Sequence, residues 1–254
     1  MIDLHSHVLP GLDDGPRTLD ASLDLLRTAA EDGISRLAAT PHVRADWPTR
    51  PETMERLVAE VSAAARAAGI PVEVLPGGEL DLSFLLTFAD DELRRFGLGG
   101  NPALLLLEFP YAGWPTALRE LVFRLALRGF RCVLAHPERN AEVQAAPERL
   151  RELVDGGVFV QLTASSVDGR GGRAARECAH ALLRRGLAHL VASDAHAPSI
   201  RAVGLSAARD ALADDDLARW LTEEVPRALL DGAPLPEPPA PAARRRRLPW
   251  HRGH

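Results

Sequence analysis

The stretch "PTALRELVFRLALRGFRCVLAHPERN", residues 115–140, decides the fold. Its first half places apolar residues three and four apart, the period of an amphipathic helix. It stops at Gly129, the residue type that best closes a helix C-terminus. A short apolar run of strand length follows, "RCVLAH" (131–136), and it ends on a histidine with polar residues crowded behind it. Helix, glycine, apolar strand and polar end form a unit that recurs along the chain.

Working outward, the same strand pattern appears in "MIDL" (1–4), "SRLAAT" (35–40), "VEVLPG" (72–77), "ALLLLEF" (103–109), "VFVQLT" (158–163) and "AHLVAS" (188–193). Segments of helical period lie between them, most ending in glycine. Seven strand–helix units demand a parallel sheet with helices outside. Their regularity favours a distorted (β/α)7 TIM-like barrel over a doubly wound sheet, the main structural alternative. Segments 199–213 and 214–230 read as closing helices, which puts one domain at 1–232. From 233 the proline- and arginine-rich "APLPEPPAPAARRRRLPWHRGH" is expected to be disordered.

Composition narrows the function. The chain has 254 residues, 46% apolar and 26% charged, an ordinary mix for a globular protein with a buried core. It contains no lysine, which excludes a Schiff-base lysine, a P-loop lysine and a carboxylated lysine bridging two metals. The net charge is −5, and the tail carries +5 through Arg244–Arg247 and Arg252, so residues 1–243 stand at −10. An acidic body argues against nucleic-acid binding. Two cysteines cannot form a disulfide framework, no signal peptide or membrane-length apolar run is visible, and a cytoplasmic setting is expected. The arginine tail could touch anionic lipid; a solvated terminus is the reading we favour.

The polar residues gather at one place on this map. His5, His7, Asp13 and Asp14 follow the first strand, His42 the second and Glu79 the third. Glu108 and His136 end the fourth and fifth, and Asp194 and His196 follow the seventh. All fall at C-terminal strand ends, where barrel active sites are built. His5 and His7 are two apart in an extended segment and project to one side. Imidazole and carboxylate without thiolate suit Mn, Zn or Fe, and the nine such ligands that remain when Asp13 is set aside suit two or three ions. His180 and His189 read as structural histidines. Cys178 and Arg184 have the spacing of cysteine-dependent phosphatases, but their segment is continuous helix without the glycines of a phosphate loop. Cys178 and Cys132 therefore read as buried apolar residues.

At "MIDLHSH", "DDGP", "TPH", "GGE", "LLEF", "AHPERN" and "SDAH" the sequence resembles the polymerase and histidinol phosphatase (PHP) superfamily. Within it, the resemblance is to the CpsB/CapC/YwqE family of manganese-dependent protein-tyrosine phosphatases of bacterial capsule and exopolysaccharide synthesis. It covers residues 1–230 and implies a (β/α)7 fold. It also implies a division of ligands: His5, His7, Glu79 and Asp194 at a first ion; Glu79, Glu108 and His136 at a second; Asp14, His42 and His196 at a third. Arg139, and Arg201 beyond "SDAH", would bind phosphate, with His42 beside the reacting group. The implied reaction is phosphate monoester hydrolysis by a metal-bound hydroxide, on a phosphotyrosine protein such as a tyrosine kinase of polysaccharide export. Rival readings are a histidinol-phosphatase-like enzyme, a metal-dependent amidohydrolase without its usual lysine, and a non-enzymatic scaffold for a kinase.

Overall fold

The computed structural model describes residues 1–197 and 202–240. All seven expected strands are present: β1 (Ile2–Ser6), β2 (Arg36–Ala39), β5 (Glu73–Leu75), β7 (Leu104–Glu108), β8 (Arg131–Ala135), β9 (Phe159–Thr163) and β10 (Leu190–Ala192). Three short strands join them: β3 (His42–Arg44), β4 (Trp47–Pro48) and β6 (Glu79–Asp81). The two glycines and the proline of "PGG" interrupt β5 before β6, and Pro41 interrupts β2 before β3, because proline has no N–H for the ladder. Each strand then resumes in a new direction. His42 pairs with Glu79 across β3 and β6, so the break re-aims two chemically important residues together.

The hydrogen-bonded order is β1-β2-β5 in one sheet and β10-β9-β8-β7-β6-β3-β4 in the other, parallel throughout except for the β3–β4 hairpin. Within each sheet the parallel strands follow chain order, without the reversal that defines a doubly wound sheet. The far seam is drawn together by a parallel bridge between Ser6 and Ala195. Asp194 N donates to His5 O at 2.9 Å and His7 N to Ala195 O at 2.7 Å across that seam. The protein is thus α/β with parallel strands, and its ladder runs in two sheets rather than the single closed ring of the expected barrel. Leu104, Leu105, Leu106 and Leu107 are all buried, so β7 has no solvent face. Each such side chain contributes about 1.5–3 kcal/mol.

Helices α1 (Leu19–Glu31) and α2 (Pro51–Ala67) follow the reading closely. Thr18 caps the first and Pro51 opens the second. Residues 81–97, the segment of helical period between the third and fourth expected strands, form instead of one helix a 3-10 turn at Phe84–Thr87 and the short helix α3 (Asp90–Arg95). The cause is local: Asp81 accepts hydrogen bonds from the Ser83 and Phe84 backbone N–H groups, a turn that competes with helix start. Helix α4 (Leu118–Leu127) precedes β8, and α5 (Ala141–Ala145) follows it. The closing segment 214–230 is broken by a π-helical turn at Trp220–Glu224, just before Pro226, which cannot donate a helical hydrogen bond.

Of the proline-rich segment, residues 233–240 are described. Leu235 packs against the core and Pro236 O accepts from Trp220 Nε1 at 3.1 Å, which fastens the start of this segment to the body. The arginine cluster 244–247, Arg252 and Arg201 lie outside the described residues. Among the described residues, no helix is long and apolar enough to cross a membrane.

Candidate metal centre

The nine expected ligands converge. His5 Nε2 and His7 Nε2 are 3.3 Å apart. From Glu79 Oε2 they lie at 3.5 and 3.4 Å, and from Asp194 Oδ1 at 3.4 and 3.5 Å. The histidine pair thus forms a triangle with each carboxylate oxygen. A cation just off the plane of such a triangle would lie about 2.1 Å from each corner, the bond length of a divalent cation to imidazole and carboxylate. Glu79 Oε1 continues to His136 Nε2 at 2.9 Å. His42 stands between two groups, with Nδ1 3.0 Å from Glu79 Oε2 and 3.7 Å from Glu108 Oε2, and Nε2 3.5 Å from Asp14 Oδ1. His196 Nε2 approaches the same Asp14 oxygen at 3.1 Å. Potential metal-holding groups thus form around His5/His7/Asp194, His5/Glu79/His136, His42/Glu79/Glu108 and His7/Asp14/His42/His196.

Electrostatics make the same demand. Burial opposes ionisation of Glu79, but the surrounding His5, His136 and His42 rings outweigh it and hold its carboxyl well below the usual range. Burial and the Glu79 charge hold Glu108 above it. Among the described residues, Glu79 Oε2 and Glu108 Oε2 are buried and receive no hydrogen bond of good geometry, with His42 Nδ1 3.0 and 3.7 Å away. Orphaned, converging carboxylate oxygens are costly unless a cation meets them. The residues therefore fit a cluster of divalent ions held by N and O donors.

A supporting layer aims the rings. His7 Nδ1 donates to Asp13 Oδ2 at 2.7 Å, and His5 Nδ1 to Gln161 Oε1 at 3.0 Å. His196 Nδ1 donates to Asp194 O at 2.9 Å. In each case the bond leaves Nε2 directed into the cluster, the arrangement that fixes metal-ligating histidines. Asp13 also accepts from His42 N at 3.0 Å and from Gly15 N at 3.0 Å, tying two loops to one carboxylate. Asp3 joins β1 to the end of β10 by accepting from Ser193 N at 3.0 Å, and burial raises its carboxyl to about 6. His136 and Asp194 take left-handed φ values of 40° and 52°, strain of about 1–3 kcal/mol each that the packing at the strand ends must hold.

Gly15 in "DDGP" is confined by the same loop. A Cβ there would sit 2.3 Å from His7 O. Gly15→Ala must therefore push the Asp13–Asp14 turn away from His7. We expect it to lower metal affinity about 10–100-fold, as loss of an outer-layer partner does, with the overall circular dichroism retained. Metal titration of the purified variant checks this, and wild-type affinity would refute it.

The "AHPERN" residues divide into distinct tasks. His136 faces Glu79, and Glu138 accepts from Thr163 N at 2.9 Å, anchoring the turn to β9. Arg139 Nη1 donates to Asp194 Oδ2 at 2.8 Å, and its guanidinium lies 4.6 Å from the Tyr111 ring centroid. Asn140 caps α5 through Glu142 N and Val143 N and donates to Pro110 O and Gly113 O. Asp13, Gln161 and Glu138 went unassigned in the sequence reading. Gln161 had a signal, a lone amide inside an apolar strand; Asp13 could not be told from Asp14 by spacing.

Both cysteines stay outside this chemistry. Cys132 and Cys178 are buried and unpaired, and burial pushes each thiol up to about 12. His180 Nε2 donates to Val167 O and His189 Nδ1 accepts from Val160 N, so these two histidines are structural.

Parallel strands that end in a sulfur-free cluster of histidines and carboxylates define a candidate metallohydrolase. The chain belongs to the family described as capsular polysaccharide synthesis, CpsB/CapC, whose profile matches residues 1–230. It is 32% identical to tyrosine-protein phosphatase YwqE of Bacillus subtilis, over 97% of this chain and 98% of that one. It is 29% identical to the putative tyrosine-protein phosphatase CapC of Staphylococcus aureus, over 77% of each. A solved structure from the pair YwqE of Bacillus subtilis and CpsB of Streptococcus pneumoniae, described as unique metal-dependent tyrosine phosphatases, matches with a TM-score of 0.84 at 31% identity. That match covers 96% of this chain and all of the other.

Proposed function

We propose that this protein is a metal-dependent protein-tyrosine phosphatase of capsule or exopolysaccharide synthesis, acting on a phosphotyrosine protein such as a tyrosine kinase of polysaccharide export. The observation that carries the reading is the His5/His7 pair flanked by Glu79 and Asp194 at 3.4–3.5 Å, continuous through Glu79 with Glu108, His136 and His42, and through His42 with Asp14 and His196. Manganese is the metal we assign, as two or three ions; the same donors would accept Zn or Fe. When bound, the ions supply Lewis acidity and a reactive water for attack on phosphorus. We place the enzyme in the cytoplasm, in keeping with two free, buried cysteines.

The chain's own residues set the geometry. Arg139 is anchored by Asp194 on one side and Tyr111 on the other, and its remaining N–H groups suit the oxygens of a phosphoryl group. Asp194 divides its oxygens, Oδ2 to Arg139 and Oδ1 to the histidine pair, so substrate and metal sites are rigidly coupled. Arg201 would add a second guanidinium. A tyrosyl phenol, with a pKa of about 10, leaves without a strong general acid.

The reading is tested with manganese-loaded protein on a phosphotyrosyl peptide beside histidinol phosphate. We expect the peptide to be the better substrate. His136→Ala should lose at least about hundredfold in kcat/KM, while Cys178→Ser stays within about twofold. Full activity in His136→Ala would sink it.

A further inference from the structure

We propose that the cleft beside Glu108, walled by Leu82, Pro110, Tyr111 and Pro115, is the subsite for the aromatic ring of the phosphotyrosyl substrate, with Tyr111 its specificity-determining residue. This rests on the phosphatase reading and adds what lies on the far side of the ester oxygen. The cleft has a volume of about 400 Å³, within the range of small-molecule sites, and Arg44, Asp81, Ser83 and Glu108 form its polar side. It shares Glu108 with the metal cluster: Oε2 faces His42, and Oε1 accepts from Arg44 Nη1 at 3.0 Å. A substituent on a phosphoryl group held at the cluster is thus within reach of its walls.

Tyr111 is the single tyrosine of the chain and is 48% exposed, a large aromatic on the surface of a protein poor in them. Its backbone is nevertheless pinned. Asn140 Nδ2 donates to Pro110 O at 2.7 Å and to Gly113 O at 2.9 Å, and Ala141 N donates to Tyr111 O at 3.1 Å. Its ring lies nearly parallel to that of His136, 5.7 Å away at 7°. The "AHPERN" turn therefore carries a metal-facing histidine, a candidate phosphate arginine and the clamp for an aromatic wall. A rigid aromatic wall next to the phosphoryl position suits a flat ring. A phosphoserine or phosphothreonine side chain is shorter and carries no flat ring to cover the Leu82, Pro110, Tyr111 and Pro115 surfaces.

The test compares kcat/KM for a phosphotyrosyl peptide with that for glycerol phosphate on manganese-loaded protein, with metal content measured in parallel. Tyr111→Ala should lower the aryl-to-alkyl ratio about five- to tenfold, chiefly through KM. Tyr111→Phe should restore the ratio, because the ring and not the hydroxyl is used. Pro115→Glu, which places a charge on another wall, should lower it as well. An unchanged ratio in both Tyr111→Ala and Pro115→Glu would overturn the proposal. So would an equal loss on both substrates with depleted manganese, since Tyr111 would then act only by supporting His136. A wild-type protein inactive on both substrates would bring down the phosphatase reading, and this inference with it.

Discussion

Glu79→Gln is expected to abolish hydrolysis, by about 10³-fold or more, and to remove more than one ion from each chain. The substitution keeps the shape of the side chain and deletes its charge. Glu79 is fully buried, and its two oxygens reach further across the cluster than those of any other residue. Oε1 is 2.9 Å from His136 Nε2, and Oε2 is 3.5, 3.4 and 3.0 Å from His5, His7 and His42. Every other carboxylate has a more local role. Asp14 meets His42 and His196, and Asp194 meets the histidine pair and Arg139. A thousandfold loss is about 4 kcal/mol of transition-state stabilisation, a reasonable sum for disturbing two adjoining metal positions at once. Elemental analysis and steady-state kinetics on the same preparation check both parts. A variant holding its full metal complement and a tenth of wild-type activity would show that Glu79 does not join the ion positions.

Why Glu79 stands there was partly legible beforehand. The α/β repeat came through because burial follows periodicity, and in "ALLLLEF" or "RCVLAH" nearly every residue is buried. The ligands were findable because each ends or follows a strand, and a parallel arrangement brings those ends to one face. Periodicity reports burial and not direction, which is where the reading ran out. "GGE" sits in a strand that breaks and resumes, and Gly78 is needed there because a Cβ would press on Phe96 at 2.8 Å. The β3–β4 hairpin rests on a few residues around Trp47, too few to show a period. Residues 81–97 have helical spacing, but one hydrogen-bonding aspartate at 81 was enough to redirect the chain. Asp13 and Asp14 are chemically identical neighbours. Only the folded loop separates the one that orients His7 from the one that faces His196.

Removing the metal should destabilise the protein as well as silence it. Four carboxylates, from Asp14, Glu79, Glu108 and Asp194, meet in one cluster, and among the described residues two of their buried oxygens lack a hydrogen bond of good geometry. Burial and the charge of Glu79 hold the Glu108 carboxyl above its ordinary range. An ion that binds only the folded chain adds about 4 kcal/mol at a thousandfold excess over its Kd. At about 2–4 °C per kcal/mol for a chain of this size, chelated protein should melt roughly 8–16 °C below the manganese-saturated form at neutral pH. Differential scanning calorimetry with and without chelator measures the gap, and re-addition of manganese should close it. The seam makes a shift of this size reasonable. His5 and Asp194 exchange contacts across the junction of β1 with the end of β10, so ions there would tie the first and last strands together. Superimposable melting curves would mean that the cluster binds no ion tightly, and the carboxylates would then need some other compensation for their burial.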